Sequence, residues 1–146
     1  GYNDLQTVRA MLEADAYDGP SIIIAYSHCI AHGIDMSQGL LIQKAAVDSG
    51  HYPLFRFNPK LAEEGKNPLK LDSKAPKIEL EDFTYQQTRF KMLTKMMPQR
   101  AKDLLALAKK DIAQRWRLYE HWAAMEYGGD KPAGAAQAEE ASGGAA

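Results

Sequence analysis

The order of apolar and polar residues predicts that the chain opens with an amphipathic helix followed by a buried strand. Residues 3–16 carry apolar side chains at helical spacing, and Asn3 or Asp4 is placed to cap the first amides. The apolar face consists of Leu5, Val8, Met11 and Leu12. After a turn signalled by glycine and proline, residues 21–26 form an apolar, β-branched run. This run is typical of an interior strand in a parallel sheet covered by helices.

A second helix and a second strand are predicted next. Residues 35–49 return to helical spacing, and Gly50 is placed to cap the carboxyl end of that helix. Residues 51–59 alternate as a strand does, and Pro53 favours an edge position or the start of the strand. Helix and strand patterns that alternate in this way indicate an α/β fold.

The second half of the chain predicts an ordered excursion and then helices. Residues 60–77 are rich in turn-forming residues and lysine, with one short extended segment at 69–71. Residues 82–95 predict a helix, and residues 98–127 predict one long helix that Pro98 starts. Residues expected to point inward are Phe83, Phe90, Leu93, Leu104, Leu105, Ala108, Ile112, Tyr119 and Trp122.

Aromatic residues and a biased tail mark the end of the chain. Trp116, Tyr119 and Trp122 form a stripe on the long helix, which we interpret as packing contact rather than as a binding surface. Residues 128–146 consist mainly of glycine and alanine with a few acidic residues, a composition that predicts disorder.

Composition narrows the class of protein. The 146 residues are 45% hydrophobic and 25% charged, which fits one soluble globular domain at most. A net charge of -1 gives no basic surface for nucleic acid or an anionic membrane. A single cysteine cannot form an internal disulfide, so the expected compartment is the cytoplasm. No apolar run approaches the roughly 20 residues that span a bilayer, and a first residue other than Met indicates a piece of a longer protein.

The segment AYSHCIAHG, residues 25–33, places the only cysteine between two histidines, just after the predicted buried strand. Ligands gather beyond the carboxyl ends of parallel strands, so Cys29 is a candidate functional residue. Three roles stay open from the residues alone. Cys29 with His28 and His32 would form part of a zinc site, although the usual paired spacings are missing. Cys29 with His32 or His51 as base would be a nucleophile, and composition alone favours an inert buried thiol.

Four stretches, taken in order, carry a family resemblance. They are YDGPSIIIAYSHCIAHGIDM at 17–36, HYPLFRFNP at 51–59, GKNPLKLDSK at 65–74, and the helix with Gln87, Arg89 and Phe90 that precedes Pro98. Together they resemble the carboxyl-terminal part of the thiamine-diphosphate domain of pyruvate:ferredoxin (flavodoxin) oxidoreductases. The resemblance covers residues 1–127. It implies that residues 1–50 end a parallel-sheet thiamine-diphosphate-binding fold and that residues 51–127 form a mainly helical extension.

The resemblance also implies an activity and its cofactors. These enzymes are cytoplasmic, multidomain homodimers that oxidatively decarboxylate pyruvate and transfer the acetyl group to coenzyme A. Electrons pass from thiamine diphosphate, held with Mg²⁺, through [4Fe-4S] clusters to ferredoxin or flavodoxin. The position of Cys29 matches the fourth ligand of the cluster nearest the thiamine. The other three cysteines and the Mg²⁺- and diphosphate-binding stretches are absent from this sequence, so the rest of the enzyme is an expected partner and the isolated chain is expected to be inactive.

Neighbouring residues are given weaker roles. An imidazole of His28 or His32 would donate a hydrogen bond near a cluster sulfur, or His32 would relay a proton. The interpretation we favour is that both histidines fix the loop through hydrogen bonds to the backbone. Three charged positions match the family pattern and are interpreted as structural: Arg56, Asp72 and Arg89. Lys66 and Lys74 would contact an acidic carrier protein or the phosphates of coenzyme A, although exposed lysines are usually only solvated. The alternative function is a non-catalytic α/β interaction module without a cluster.

Overall fold

The described part of the chain folds into six α-helices and two short strands. A computed structural model describes residues 2–127. The helices are α1 Asp4–Ala16, α2 Gly39–Asp48, α3 Lys60–Glu63, α4 Leu80–Thr84, α5 Thr88–Met96 and α6 Pro98–Ala124. The strands are β1 Phe55–Phe57 and β2 Leu69–Leu71, and 3-10 turns cover Ile30–His32 and Met36–Gln38.

Helix ends follow the signals in the sequence. Asn3 caps α1, since its side-chain oxygen accepts the Gln6 N–H at 3.1 Å. Gly50 follows α2 with a φ of 73°, the left-handed conformation in which glycine commonly ends a helix. Pro98 is the first residue of α6. The predicted helices at residues 3–16, 35–49 and 98–127 are thus confirmed in their main course.

The excursion folds back onto the long helix. β1 and β2 pair antiparallel, with Phe55 opposite Leu71 and Phe57 opposite Leu69. The Phe55 ring lies 4.9 Å from the Tyr119 ring of α6, centroid to centroid. The predicted extended segment at residues 69–71 is confirmed, and its destination is a small sheet packed against α6.

The core lies where α2, α4 and α6 meet. Its buried side chains come from α2 and α4, and partly buried residues of α6 pack against them. The buried members are Ile42, Ala45, Ala46, Leu80 and Phe83, and the α6 members are Leu105, Ala108 and Ile112. Trp116 is also buried and Tyr119 packs on Phe55, which supports the packing interpretation for these two residues, whereas Trp122 contacts Tyr119 edge to face but stays exposed.

The interior strand predicted at residues 21–26 is not a strand in this structure. These residues have no regular secondary structure, and Ile22 and Ile24 are 87% and 75% exposed. A strand needs a neighbouring strand to pair its backbone groups, and the described residues offer only the antiparallel pair of β1 and β2. The fold is therefore helix-rich with a two-stranded sheet, which is consistent with an α/β class, while the parallel sheet is not confirmed.

Other boundaries and faces also differ from the sequence prediction. The helix predicted at residues 82–95 is two helices, because the chain turns at residues 85–87 between α4 and α5. The apolar face of α1 and the side chains of Leu104 and Trp122 remain exposed. Among the described helices, none is long and apolar enough to cross a membrane. The tail predicted to be disordered, residues 128–146, lies outside the described residues.

Candidate functional site

Cys29 lies half-buried at the end of the irregular segment that follows α1, directly before the 3-10 turn Ile30–His32. The N–H of Gly33 donates to the Ile30 carbonyl at 3.2 Å and closes this turn. The predicted site residue therefore sits on a short, tightly closed loop, residues 28–33.

One end of the loop is fastened to α5. The backbone N–H of Thr88 donates to the Gly33 carbonyl at 3.0 Å. Gly33 has a φ of 71°, and a Cβ atom placed there would lie 3.0 Å from Thr88 Oγ1 and 3.2 Å from Thr88 Cβ. Both the backbone conformation and the close approach require glycine. Helix α5 thus holds the carboxyl-terminal end of the loop that carries Cys29.

The other end of the loop rests on α2. A Cβ atom at Gly39, the first residue of α2, would lie 3.2 Å from His28 Cε1 and 3.5 Å from His28 Nε2. The imidazole ring therefore packs closely against a bare backbone. His28 Nδ1 is buried and has no hydrogen-bond partner among residues 2–127. His28 therefore packs against α2, and the hydrogen bond to the backbone that the sequence predicts is not formed by its Nδ1 atom within residues 2–127. The side chain of His32 lies outside the described residues.

An aromatic cluster supports the segment that leads into the loop. The Tyr26 ring lies 5.2 Å from Tyr52 and 6.1 Å from His51, and the His51 ring lies 4.8 Å from Phe83. The Tyr52 hydroxyl donates to the Ile24 carbonyl at 2.8 Å. Burial, with smaller effects of Arg115 and Arg89, lowers the pKa of His51. His51, the more distant base in the nucleophile hypothesis, is thus packed among aromatic rings.

The sequence pattern alone indicates no role for Tyr26 or Gln87. Gln87 is 1% exposed at the junction of α4 and α5. Within residues 2–127, neither Tyr26 Oη nor Gln87 Nε2 has a hydrogen bond of acceptable geometry. Burial raises the pKa of Tyr26, and Arg89 and the Gln87 amide partly oppose that effect. The only signal in the sequence is that Gln87 belongs to a family-like stretch.

The donor set around Cys29 limits what it can bind. The described residues contain no group of three or more His, Cys, Asp or Glu side chains that could hold a metal ion. A [4Fe-4S] cluster is normally held by four thiolates, and this sequence has one cysteine. Cys29 therefore fits as a single ligand whose co-ligands come from elsewhere. His28 Nδ1 is a buried polar atom without a partner among residues 2–127, and such atoms are rare in complete native sites. This observation agrees with a site that is completed by groups from elsewhere.

Two of the three charged candidates, Arg56 and Asp72, form an ion pair, and the third, Arg89, contacts an aromatic ring. Arg56 binds Asp72 through Nε–Oδ2 and Nη2–Oδ1 bonds, both 2.8 Å long. Burial works against ionisation of Asp72, but hydrogen bonds from Arg56 and Gln6 hold its pKa below the usual value. Arg89 stacks its guanidinium 4.6 Å from the Phe90 ring. The structural interpretation of these residues is supported by the contacts.

The two candidate lysines lie at the surface. Lys66 forms an exposed ion pair with Glu64 at 2.7 Å, and Lys74 is exposed. These positions give neither lysine a defined ligand.

Known proteins similar to this chain are oxidoreductases. No family model matches the chain. A pyruvate-flavodoxin oxidoreductase of Trichormus variabilis is 55% identical over 126 residues, which cover 86% of this chain and 11% of that protein. A pyruvate-flavodoxin oxidoreductase of Nostoc is 55% identical over 123 residues, 84% of this chain and 10% of the relative. A pyruvate:ferredoxin oxidoreductase of Moorella thermoacetica is 44% identical over 120 residues, 82% of this chain and 10% of the relative.

The chain matches one segment of the pyruvate:ferredoxin (flavodoxin) oxidoreductases. It spans about a tenth of the length of these curated relatives. A match of 126 residues within a chain of 146 must include residues 21–126, wherever it begins. The loop with Cys29 and the helices that hold it therefore lie inside the region shared with these oxidoreductases.

Proposed function

We propose that this chain is part of a pyruvate:ferredoxin (flavodoxin) oxidoreductase and that Cys29 is one of the four thiolate ligands of a [4Fe-4S] cluster in it. The observation that carries the proposal is the 55% identity to a pyruvate-flavodoxin oxidoreductase across a stretch that includes Cys29. The position of Cys29 on a short loop held at both ends adds structural support.

The loop would hold the thiolate of Cys29 in a fixed position. A cluster ligand has to keep its sulfur in place while the other ligands arrive from different parts of the protein. Residues 28–33 meet this need, because the loop is closed by Gly33 N–H to Ile30 and fastened to Thr88. When bound, the cluster would supply one-electron redox chemistry next to the thiamine cofactor. The work of this chain is then to hold one thiolate and to leave room for the cluster.

The whole-enzyme activity follows from the same proposal. Pyruvate would be decarboxylated oxidatively with coenzyme A, and the electrons would pass to ferredoxin or flavodoxin, in a cytoplasmic homodimer that also binds thiamine diphosphate and Mg²⁺. Residues 1–50 would complete the thiamine-diphosphate domain and residues 51–127 would form its extension. Since the matched relatives are far longer than this chain, the other binding sites would lie outside it.

The proposal is tested with the Cys29→Ser variant of the assembled oxidoreductase, purified without oxygen. We expect loss of about four iron atoms per chain, because serine does not replace the thiolate. Ser27→Ala is the matched control: Ser27 lies two residues away, and its exposed hydroxyl donates to the neighbouring His28 carbonyl at 3.2 Å. Full iron content in Cys29→Ser would refute the ligand role.

A second candidate is a docking module without a cluster. It is favoured by three consecutive exposed isoleucines, Ile22, Ile23 and Ile24, because a monomeric soluble domain seldom exposes a large continuous apolar patch. The two candidates differ in one observation. A docking module would leave the iron content of the assembled protein unchanged when Cys29 is replaced, and would still lose binding to its neighbours when the isoleucines are made polar.

A further inference from the structure

Two glycine contacts bracket Cys29. On the amino-terminal side, the His28 ring rests on Gly39 of α2, where any Cβ would approach His28 Cε1 to 3.2 Å. On the carboxyl-terminal side, Gly33 rests on Thr88 of α5, where a Cβ would approach Oγ1 to 3.0 Å. Contacts of 3.0–3.4 Å are tighter than ordinary van der Waals packing, so each would have to yield if a methyl group were added.

We propose that Gly39 and Gly33 are positioning residues for Cys29, acting through His28 and Thr88 respectively. This inference rests on the proposed function, since the group they position is the cluster ligand. The loop is too short for its ends to move independently of the thiol: one residue separates His28 from the turn that begins at Ile30. A displacement of His28 or Gly33 by a few tenths of an ångström therefore moves the Cys29 sulfur.

Gly39 offers the cleaner test, because its backbone does not need glycine. Its φ of -50° and ψ of -47° are helical, and alanine is the better helix former. Replacing it should leave α2 intact or strengthen it. The only cost visible in the structure is the contact with His28. Any change at the cluster in Gly39→Ala then reports the position of the loop and not the folding of the helix.

Gly33 differs, because its backbone itself requires glycine. With a φ of 71°, an alanine at this position would be strained even without Thr88. Gly33→Ala is therefore the second variant, combined with Thr88→Gly to remove the side chain it would meet. The single and double variants separate the contact with Thr88 from the backbone strain.

The experiment uses the assembled oxidoreductase, with three readouts: the electron paramagnetic resonance spectrum of the reduced cluster, its midpoint potential, and the rate of iron loss to a chelator. For Gly39→Ala we expect a changed spectrum, a shifted potential and about tenfold faster iron loss, the usual scale for outer-shell changes at metal sites. Gln38→Ala, a change at the same end of α2 on an exposed side chain, is the matched control and should behave as wild type.

A double-variant cycle tests whether Gly39 acts on Cys29 through His28. In a His28→Ala background, Gly39→Ala should have no further effect on the spectrum or the potential, because the ring it displaces is gone. Likewise, Thr88→Gly should restore part of the iron retention that Gly33→Ala loses. A wild-type spectrum, potential and iron-loss rate in Gly39→Ala would overturn the inference while Cys29→Ser still loses its iron. Retention of iron in Cys29→Ser would instead overturn the proposed function on which the inference rests.

Discussion

Arg56 of β1 binds Asp72 through two parallel hydrogen bonds of 2.8 Å, and the same guanidinium contacts Glu13 of α1. Both members of the main pair are largely buried, with side-chain exposures of 9% and 13%. Gln6 of α1 also donates to the Asp72 carboxylate, at 3.3 Å. This network joins α1 to the small sheet and holds in place the helix that precedes the Cys29 segment.

Removal of the Arg56 guanidinium should loosen this junction. For Arg56→Ala we expect a loss of about 3 kcal/mol in the free energy of local opening, because Asp72 would be left buried without its partner. Amide hydrogen exchange of Phe55–Phe57 in the assembled protein measures it. Lys66→Ala, which breaks an exposed pair with Glu64, is the control and should cost less than about 1 kcal/mol. Equal effects of the two variants would contradict the structural role of Arg56.

Asn67 caps α6 from outside the helix. Its side-chain amide donates to the Trp122 and Met125 carbonyls at 2.7 and 2.9 Å, and its oxygen accepts the Leu69 N–H at 2.8 Å. Asn67→Ala should cost roughly 1–2 kcal/mol and speed hydrogen exchange in the last turn of α6. The comparison is Asn58→Ala, which removes a local bond to the Lys60 N–H and should not affect α6.

His51 should make the region around α2 sensitive to acid. Burial holds the pKa of His51 below its ordinary value of 6.5, so the folded state keeps the ring neutral. Between the lowered pKa and 6.5 the unfolded state binds more protons, and stability rises with pH across that window. We expect the Tyr52 N–H, bonded to Ala46 O at 2.9 Å, to open more readily as the pH falls below 6.5.

The control for this pH effect is His51→Phe, which preserves the aromatic contacts with Tyr26 and Phe83 but cannot be protonated. The measurement is Tyr52 amide exchange, corrected for the intrinsic pH dependence of exchange. Histidine side chains titrate between about pH 5 and 8. If the Tyr52 amide opens equally in wild type and His51→Phe throughout this range, the role assigned to His51 is wrong.

The exposed isoleucines should make the isolated chain prone to aggregation. Ile22 and Ile24 present apolar surface that a longer protein would cover. The isolated chain should bind a hydrophobic dye and aggregate, and the double change Ile22→Asp and Ile24→Asp should reduce both. The same change in the assembled oxidoreductase should weaken packing of this segment. A wild-type chain that stays monomeric without binding the dye would contradict this expectation.

Sequence patterns were sufficient for the elements whose partners lie within the chain. The caps at Asn3 and Gly50, the start of α6 at Pro98 and the extended piece at residues 69–71 depend on local chemistry, and all four are present. The strand prediction at residues 21–26 was wrong, because a strand needs a neighbouring strand that the described residues do not supply. The break between α4 and α5 also escaped prediction, since residues 82–95 keep helical spacing across the turn at residues 85–87.

The candidate site also combines features that the local sequence predicts with contacts that it does not. The sequence identified Cys29 as the candidate residue, and the family resemblance gave it a role. It did not reveal that Gly33 meets Thr88 or that His28 rests on Gly39, because both contacts join positions far apart in sequence or on different elements. Nor did it reveal that the Gln87 side chain would lie close to the Tyr26 hydroxyl. Such contacts depend on the packing of α2 and α5 against the loop.

The most direct test of the central claim is to locate the iron itself. In crystals of the assembled oxidoreductase grown without oxygen, anomalous scattering from iron should place an iron atom within bonding distance of Cys29 Sγ. Three other thiolates should complete that cluster. Iron bound to four other ligands, with Cys29 Sγ in contact only with protein atoms, would contradict the claim that this chain supplies a cluster ligand.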